Sequence, residues 1–423
     1  MSTHDVQLLF LLRSIRVCAY GGSTLILSLF LSSLGNSDAK IGIFMSATLL
    51  GDLVISVLTS LMADSLGRRR MLAFGSISMA LSGAIFATCD NFWVLLTASI
   101  FGVISPSGGD IGPFKVIEES TLAHLLPAES LNASLTWYYT LGSWGGALGL
   151  LATGWLIQCL QSNKIATLDA YRATFFLYSA IGVLKTAVTF FLTDMCEAEP
   201  QDSPSSEAIQ PRSMNESEPL LPYHRRSTTP VFSISLPTRC FLLKFCPIIM
   251  FDNVGTGFST DSWLTYFINR KFPNTSDGLL GSIFSTCSVI ISMSNILAIP
   301  AVRRFGILRT MIIGHLIAST ALMLLPLPDK LNGAVMLLVT RAIFLDFDQA
   351  PRQTFLAQRV PAEERTAAMG VVNMTRTLAQ SGGPLLTGYL GQQGRLGLSF
   401  VLAGVVKWVY DILLAVAFLP GNK

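Results

Sequence analysis

The sequence is poor in charged residues. Only 13% of its 423 residues are Asp, Glu, Lys or Arg, whereas 51% are hydrophobic. A water-soluble chain of this length needs roughly 25% charged residues to cover its surface. The net charge of +3 is too small to favour nucleic acid as a partner. The composition excludes a soluble protein and predicts an all-α polytopic membrane protein with the lipid bilayer as its surroundings.

Residues suited to catalysis or metal binding are also scarce. The chain has four histidines and seven cysteines, and the cysteines are mostly single residues inside apolar segments. We interpret them as packing residues, because none shows metal-ligand spacing. The sequence contains no H-E-x-x-H, no G-x-S-x-G on a strand and no G-x-x-x-x-G-K-[ST] loop. We therefore expect no catalytic residues, no metal site, no cofactor and no direct use of ATP.

Apolar segments of about 20 residues, long enough to span a bilayer, recur along the chain. Residues 1–195 and 240–423 each contain six of them, which predicts two six-helix bundles. The fourth and tenth segments are the least regular. The twelve predicted spans are 10–33, 41–62, 71–88, 92–118, 132–157, 172–194, 240–268, 277–300, 309–327, 333–357, 367–390 and 397–419.

The segment between the halves, 196–239, has a different composition. It carries seven prolines from Pro200 to Pro237, many serines and mixed charge, so it cannot bury enough apolar area to fold. We predict a disordered cytoplasmic linker. Residues 216–221 match an acidic dileucine sorting pattern, which is either a sorting signal or an incidental match. Residues 225–228 are either a site for a kinase that prefers basic sequences or a stretch without function.

The placement of basic residues predicts the orientation. Lys and Arg are more frequent on the side of the loop 61–70 than on the other side, so both termini are expected in the cytosol. Asn274 then faces outward and is the best glycosylation site. The pattern leaves open whether the membrane is the plasma membrane or that of a vacuole or lysosome. The arginines on the loop side are Arg68, Arg69, Arg70, Arg212, Arg225, Arg226, Arg239, Arg303, Arg304, Arg309, Arg359 and Arg365.

The second half repeats the first. Gly42 and Gly67 correspond to Gly281 and Gly306, because 281 − 42 and 306 − 67 both equal 239. An even number of spans separates the copies, so they are parallel, and a pseudo-twofold axis along the membrane normal relates them. Further matches in the same order are 122–129 with 356–363 and 153–156 with 387–390.

The loop between the second and third spans reads Asp64-Ser65-Leu66-Gly67-Arg68-Arg69-Arg70. An aspartate three residues before a glycine, followed by arginines, resembles the loop signature of major facilitator superfamily transporters. The resemblance covers the chain except the linker. It implies the fold of that superfamily, with the substrate path between two six-helix bundles, and we expect a monomer.

By this resemblance the loop is part of a cytoplasmic gate. Asp64 is expected to bond to the start of the third helix, and Arg68 and Arg69 are expected to bind Glu118, Glu119 or Glu129 on neighbouring loops. The network would hold the cytosolic side shut in the outward-open state. The predicted gate residues are Asp64, Gly67, Arg68, Arg69, Arg70, Gly306 and Arg309.

The repeat also indicates a site. Asp110 and Pro113 in the fourth span correspond to Asp348 and Pro351 in the tenth, and each proline is expected to kink its helix. In the superfamily the first, fourth, seventh and tenth helices line the central cavity. Charged residues there bind substrate or protons, or they pair structurally. The candidates are Asp110, Pro113, Glu118, Asp252, Arg341, Asp346, Asp348 and Arg352.

Four further ionisable residues lie in predicted spans. Lys407 and Asp411 are four residues apart and are expected to pair with each other. Lys185 and His315 have no obvious partner, so packing or snorkelling is the expected role of each.

The predicted function is secondary active transport of a small-molecule solute by alternating access, driven by a proton or other ion gradient. An uncoupled facilitator is an alternative. So is a transporter-like receptor that binds a solute and signals through the linker.

Overall fold

In the computed structural model, the described residues are 3–102, 104, 106, 113–197, 235–361 and 364–419. Every regular element in these ranges is a helix, and no β-strand occurs among them. The prediction of an all-α fold is therefore confirmed. Asp110 and most of the predicted linker, 198–234, lie outside the described residues.

The first half is built from long helices joined by short turns. Because Gly67 is the only residue between α2 and α3, these two helices meet in a very tight turn. The described helices are α1 (Thr3–Ser33), α2 (Asp38–Leu66), α3 (Arg68–Thr88), α4 (Phe92–Gly102), α5 (Pro113–Leu125), α6 (Ala128–Ser162), α7 (Thr167–Thr189) and a 3-10 helix (Asp194–Cys196).

The second half begins at Leu236, four residues before its predicted start at 240. Pro237 lies in the first helical turn, where a missing N–H removes no helical hydrogen bond, so this proline starts a helix instead of marking a linker. The helices are α8 (Leu236–Phe258), α9 (Asp261–Lys271), α10 (Asp277–Phe305), α11 (Ile307–Leu324), α12 (Leu331–Leu345), α13 (Gln349–Arg359), α14 (Arg365–Gln392) and α15 (Leu396–Phe418).

Each of the twelve predicted spans coincides with one helix or with two consecutive helices. The fourth and tenth spans, whose sequences are the least regular, are divided into α4 and α5, and into α12 and α13; the sequence predicted kinks there, not breaks. The seventh span is also divided, into α8 and α9, and this break was not predicted. Among the described residues, seven helical stretches are long and apolar enough to cross a membrane.

The structure corrects the prediction of a kink at Pro351. The tenth span is interrupted at 346–348 and restarts at Gln349, so Pro351 is in the first turn of α13. The first turn is where proline is tolerated, so Pro351 follows the end of one helix instead of bending a continuous one. Residues 107–112, directly before Pro113, lie outside the described residues, so the kink at Pro113 stays a prediction.

The break in the seventh span is stabilised by another helix. Ser259 and Thr260 separate α8 from α9, and the carbonyl of Phe258 accepts a hydrogen bond of 2.9 Å from the hydroxyl of Thr387 on α14. An interrupted helix leaves carbonyl groups unpaired, and inside a membrane these need partners from the protein. Thr387 supplies one.

Helix packing follows the sequence repeat. In the first half α1 packs on α6 and α3 packs on α7, and in the second half α8 packs on α14 and α11 packs on α15. These pairs are equivalent in the two halves. The helices α1, α3, α6 and α7 are the first, third, fifth and sixth spans of the first half, and α8, α11, α14 and α15 have the same places in the second half. The halves meet where α2 packs on α14, α6 on α10 and α1 on α9.

The two ends of the molecule differ in their cores. We call the end that carries Gly67 and Gly306 the arginine face, and the end that carries residues 34–37 and 272–276 the opposite face. Toward the opposite face, one apolar cluster joins both halves and includes Phe30 and Phe267. Toward the arginine face, the second half has a separate cluster around Phe245. The halves therefore share a core mainly at the opposite face.

Large apolar side chains also cover the outside of the helices. Phe74, Phe176, Leu243 and Val416 are 54% to 75% exposed. Patches of this kind are rare on water-soluble monomers, and they suit contact with lipid. The chain is a multi-pass membrane protein.

Candidate functional site

The arginine loop and its repeat have the same backbone geometry. Gly67 has a φ of 90° between α2 and α3, and Gly306 has a φ of 82° between α10 and α11. Positive φ is readily adopted only by glycine. The two glycines that the sequence repeat matched therefore make equivalent turns.

The acid at the start of α3 is Glu197. Its carboxylate accepts hydrogen bonds from the backbone N–H groups of Arg68, at 2.6 Å, and Arg69, at 3.2 Å. A negative charge is stabilised there by the unpaired N–H groups and the dipole of the helix. This is the role expected for Asp64, whose side chain lies outside the described residues. Glu197 was assigned to the linker, so its role was missed.

The predicted partners of the arginine loop bind elsewhere. Glu119 accepts a hydrogen bond of 2.6 Å from the hydroxyl of Tyr139 and lies 3.9 Å from Lys115. Glu118 belongs to a buried cluster described next. In this structure neither Glu118 nor Glu119 binds Arg68 or Arg69, and Glu129 has no described side chain. The expected gate belongs to the outward-open state, so it stays a prediction.

Glu118 is the centre of a buried charge cluster in the first half, which we call the N-half cluster (Arg16, Glu118, Tyr138 and Lys185). Its carboxylate accepts bonds from Arg16, at 2.8 Å, and from the hydroxyl of Tyr138, at 2.6 Å. The amine of Lys185 is 3.6 Å away. All three charged side chains have 0% exposure. Lys185 therefore has a partner, contrary to expectation.

An aromatic ring completes the N-half cluster. The amine of Lys185 lies 3.6 Å from the ring centre of Phe114, and the guanidinium of Arg16 lies 4.9 Å from it. A cation over a ring face is stabilised by the ring's quadrupole. The cluster thus ties α1, α5, α6 and α7 together.

A second buried cluster, the C-half cluster, comprises Asp252, His315, Asp348, Arg352, Lys407 and Asp411. Asp252 on α8 is at its centre. Its carboxylate accepts a bond of 2.6 Å from Lys407, lies 3.0 Å from His315 Nε2, and lies 3.3 Å from Arg352. Burying several charges together requires that each be paired, and this geometry provides the pairs.

His315 connects two acids within the C-half cluster. Its Nε2 faces Asp252, and its Nδ1 is 2.9 Å from an oxygen of Asp411. If both carboxylates are ionised, both contacts are hydrogen bonds only when each ring nitrogen carries a hydrogen. His315 was expected to have a packing or snorkelling role, and Lys407 and Asp411 were expected to pair with each other. Instead each binds a different partner, Asp252 for Lys407 and His315 for Asp411.

The two clusters occupy equivalent positions, and the charges on their first and fourth spans are exchanged. The N-half cluster places its acid on the fourth span and its cations on the first and sixth. The C-half cluster places Asp252 on the first span of its half, with Arg352 on the fourth and Lys407 on the sixth. The repeat has preserved the location of these buried charges, with opposite signs on the first and fourth spans and a lysine on the sixth span of both halves.

Close helix crossings join the halves near the opposite face. A Cβ on Gly388 would lie 2.8 Å from the Cα of Gly42, and a Cβ on Gly154 would lie 2.9 Å from the Cα of Gly281. Only glycine allows backbones to approach so closely. The sequence repeat pairs Gly42 with Gly281 and Gly154 with Gly388, so the two crossings are copies of one another.

Polar contacts reinforce the same face. Asp38 on α2 accepts hydrogen bonds from Tyr266, at 2.7 Å, and Arg270, at 2.6 Å. Its repeat partner Asp277 accepts one of 2.8 Å from Gln161. In the part of the chain that the structure describes, every hydrogen bond between the halves lies on the side of the opposite face. The others join Ser28 with Ser262, Ser262 with Thr24, Ser262 with Pro106, Ser32 with Tyr266, Trp155 with Ser282 and Gln158 with Gly278.

The sequence matches the model of the Major Facilitator Superfamily over residues 9–345 and 267–423, two ranges that together include almost the whole chain. The chain belongs to the major facilitator superfamily. The arginine loop, the repeat and the two-bundle packing are therefore those of a superfamily transporter.

A yeast relative extends over the same length. The Saccharomyces cerevisiae protein named uncharacterized membrane protein YJR124C is 32% identical over 428 residues, which cover 99% of this chain and 95% of that protein. The crystal structure of the nucleoside transporter NupG has a TM-score of 0.71 at 14% identity, covering 98% of this chain and 99% of that one. A bacterial homolog of the human lysosomal transporter Spinster, inward-facing and occupied, has a TM-score of 0.73 at 16% identity, covering 98% of both chains. These structures show the superfamily fold.

The predicted cavity residues of this superfamily member do not form one site. Asp252, Asp348 and Arg352 come together in the C-half cluster, whereas Glu118 lies in the other half. Arg341 and Asp346 are partly buried on and after α12, without an ion pair to a described residue. Asp110 and the side chain of Pro113 lie outside the described residues. Sequence reasoning also overlooked Arg376, a charge in the middle of the eleventh span.

The predicted glycosylation site, Asn274, is exposed in the turn between α9 and α10 at the opposite face. The geometry suits the role, which stays a prediction.

Glu364 connects two helices of the second half at the arginine face. Its carboxylate accepts bonds of 3.0 Å from the N–H and from the hydroxyl of Ser235, which precedes α8. Hydrogen bonds from Thr238 and Ser235 lower the pKa of Glu364. The ionised form is therefore favoured by folding, so its contribution is present above the ordinary glutamate pKa and is lost as the pH falls through the lowered value.

We expect Glu364→Gln to lower the unfolding temperature at neutral pH. The difference from the wild type should shrink as the pH falls below the ordinary glutamate pKa of about 4.3. Unfolding of the purified protein, followed by intrinsic fluorescence from pH 7 down to a pH below the lowered pKa of Glu364, measures this difference. Asp329→Asn removes an exposed carboxylate and is the control. A difference that does not change with pH would contradict the assignment.

Proposed function

We propose that the protein is a proton-driven secondary transporter that moves a small solute by alternating access, with the arginine face in the cytosol. The proposed motion is supported by the way the two bundles contact each other, mainly on one side of the membrane. The hydrogen bonds between the halves and the shared apolar core lie toward the opposite face, so this state is closed there. Opening that face requires these contacts to separate, while those within each bundle persist.

His315 is the observation that carries proton coupling. The C-half cluster has three carboxylates, Asp252, Asp348 and Asp411, and two permanent cations, Arg352 and Lys407. A protonated His315 makes the numbers of positive and negative charges equal, and loss of that proton leaves one negative charge in excess. Histidine is the side chain whose ordinary pKa is nearest to physiological pH. The cluster can therefore hold and release one proton through His315.

Arg352 connects the proton to the solute path. It lies on α13, the second part of the divided tenth span, and lines a cavity together with residues of α8 and α14. Its partners Asp252 and Asp348 are each 3.3 Å away. When His315 loses its proton, a positive charge that repels Arg352 disappears, so the cluster holds Arg352 more strongly. A change in protonation thus alters the contacts of a cavity residue.

The test uses the full chain in liposomes that contain a pH-sensitive dye. Glucose, uridine, glutamate, succinate and inorganic phosphate are added outside in turn, under an imposed pH gradient. We expect at least one solute to change the internal pH in wild-type liposomes, and His315→Gln to abolish that change. His124→Gln alters an exposed histidine at the end of α5 and should behave like the wild type.

Uptake and binding of the same solutes in radiolabelled form, measured in the same liposomes beside the internal pH, separate the alternatives. Solute uptake without a change in internal pH would show an uncoupled facilitator. Solute binding without uptake would show a receptor. Full proton coupling in His315→Gln would overturn the role of His315.

A further inference from the structure

A pocket in the second half lies between α8, α13 and α14. Two guanidinium groups, those of Arg352 and Arg376, line it together with the amide of Asn373 and the apolar side chains of Ile249 and Val372. The two arginines differ in their partners. Arg352 lies 3.3 Å from both Asp252 and Asp348. For Arg376, the described residues provide no carboxylate within 4.0 Å.

Asn253 orients Arg376. The side-chain amide of Asn253 donates a bond of 2.8 Å to the carbonyl of Ile249, so its oxygen points the other way. That oxygen accepts a bond of 3.3 Å from Nε of Arg376. Because Nε is held by a neutral group, the two terminal nitrogens of the guanidinium remain for a further partner. A planar pair of N–H donors matches the two oxygens of a carboxylate or phosphate.

The position makes this charge unusual. Arg376 lies in the middle of α14, partly buried, beside a second guanidinium. A charge inside a membrane protein is costly unless it is paired or has a function. The charge of the C-half cluster is already balanced without Arg376 when His315 is protonated. Of the two guanidinium groups that line this pocket, Arg376 is therefore the one that is left for a ligand.

We propose that Arg376 binds the oxyanion, carboxylate or phosphate, of a small organic anion, and that this anion is the transported solute. The inference rests on the proposed function and adds the substrate class to it. Met369, a half-buried residue of the same lining, forms the apolar part of the pocket and contacts the body of the solute. Asn373 provides a further hydrogen-bonding group.

The experiment measures binding to the purified full chain, without transport. The apparent unfolding temperature is followed while sodium succinate or inorganic phosphate is added, with sodium chloride at equal ionic strength as the reference. A ligand that binds only the folded protein raises this temperature. We expect one of the two anions to raise it at millimolar concentration, which distinguishes a carboxylate from a phosphate site.

Three variants test the role of Arg376. Arg376→Gln should need at least about tenfold more anion for the same rise, because charge-assisted bidentate bonds are lost. Arg376→Lys keeps the charge without the paired donors and should lie between that variant and the wild type. Arg395→Gln, an exposed arginine at the opposite face, is the matched control and should bind like the wild type.

The variants also separate a ligand site from a structural role. Without anion, Arg376→Gln should unfold at the same temperature as the wild type or higher, because it removes an unpaired charge. A clear fall in that temperature would overturn the proposal. So would an equal response of Arg376→Gln and the wild type, or the absence of a response to both anions. Because no flux is measured, failure of proton coupling in liposomes leaves this result unaffected.

Discussion

Asp252→Asn should lose about 3–5 kcal/mol of unfolding free energy, the loss expected when one member of a buried ion-pair cluster is removed. The carboxylate of Asp252 contacts Lys407, His315 and Arg352, at 2.6, 3.0 and 3.3 Å. Asparagine keeps the shape but not the charge, and its amide turns a donor toward at least one cation. Chemical denaturation of the purified protein in detergent measures the loss.

A second substitution separates charge imbalance from lost packing. Lys407→Met in the Asp252→Asn background removes the cation that lies closest to Asp252. The double variant should be more stable than Asp252→Asn alone, since replacing a buried pair by apolar groups is often neutral. Asp329→Asn, on an exposed loop, should have little effect. If Asp252→Asn is as stable as the wild type, the cluster is not what holds α8, α11, α13 and α15 together.

Gly388→Leu should abolish transport and shift the protein away from the state that is closed at the opposite face. A Cβ at this position would lie 2.4 Å from the carbonyl oxygen of Asp38 and 2.8 Å from the Cα of Gly42. Backbone atoms cannot rotate aside as a side chain can, so α2 and α14 must separate. Overpacking a close contact typically costs about 1–3 kcal/mol, enough to reverse the preference between two states of similar energy.

The same helix offers a matched control. A Cβ on Gly382 meets nothing within 4 Å, so Gly382→Leu should transport normally. Opening is measured by labelling a cysteine placed at Ser282, in a chain without other cysteines, with a maleimide that cannot cross membranes. Ser282 packs against Trp155 in the closed interface, so labelling should be faster in Gly388→Leu. Equal labelling rates in both glycine variants would refute the assigned interface.

Much of this architecture could be predicted from the sequence. The lengths of the apolar segments located the membrane spans. The repeat matched Gly42 with Gly281 and Gly67 with Gly306, and these glycines have equivalent positions in the structure. The repeat identified these equivalent positions because a close helix crossing or a turn with positive φ requires glycine in both halves. The break in the seventh span was missed, because residues 258–261 carry no proline to mark it.

The charge clusters could be predicted only in part. The sequence showed that Asp252, Asp348 and Arg352 are charges inside spans, but their partners lie on other helices, and spacing along one chain does not reveal them. Lys407 and Asp411 illustrate the difficulty. A separation of four residues permits a pair on one helix, yet α15 packs against α8 and α11, and stronger partners, Asp252 and His315, lie on those helices.

The glycine crossings have a consequence for the speed of the motion. At Gly42 with Gly388, and at Gly154 with Gly281, main chain touches main chain, so no side chain there must leave one rotamer for another when the halves separate. Interlocked side chains would have to disengage before either bundle could turn, which would raise the activation barrier. At these two crossings the bundles can therefore separate and come together again without any change of side-chain rotamer.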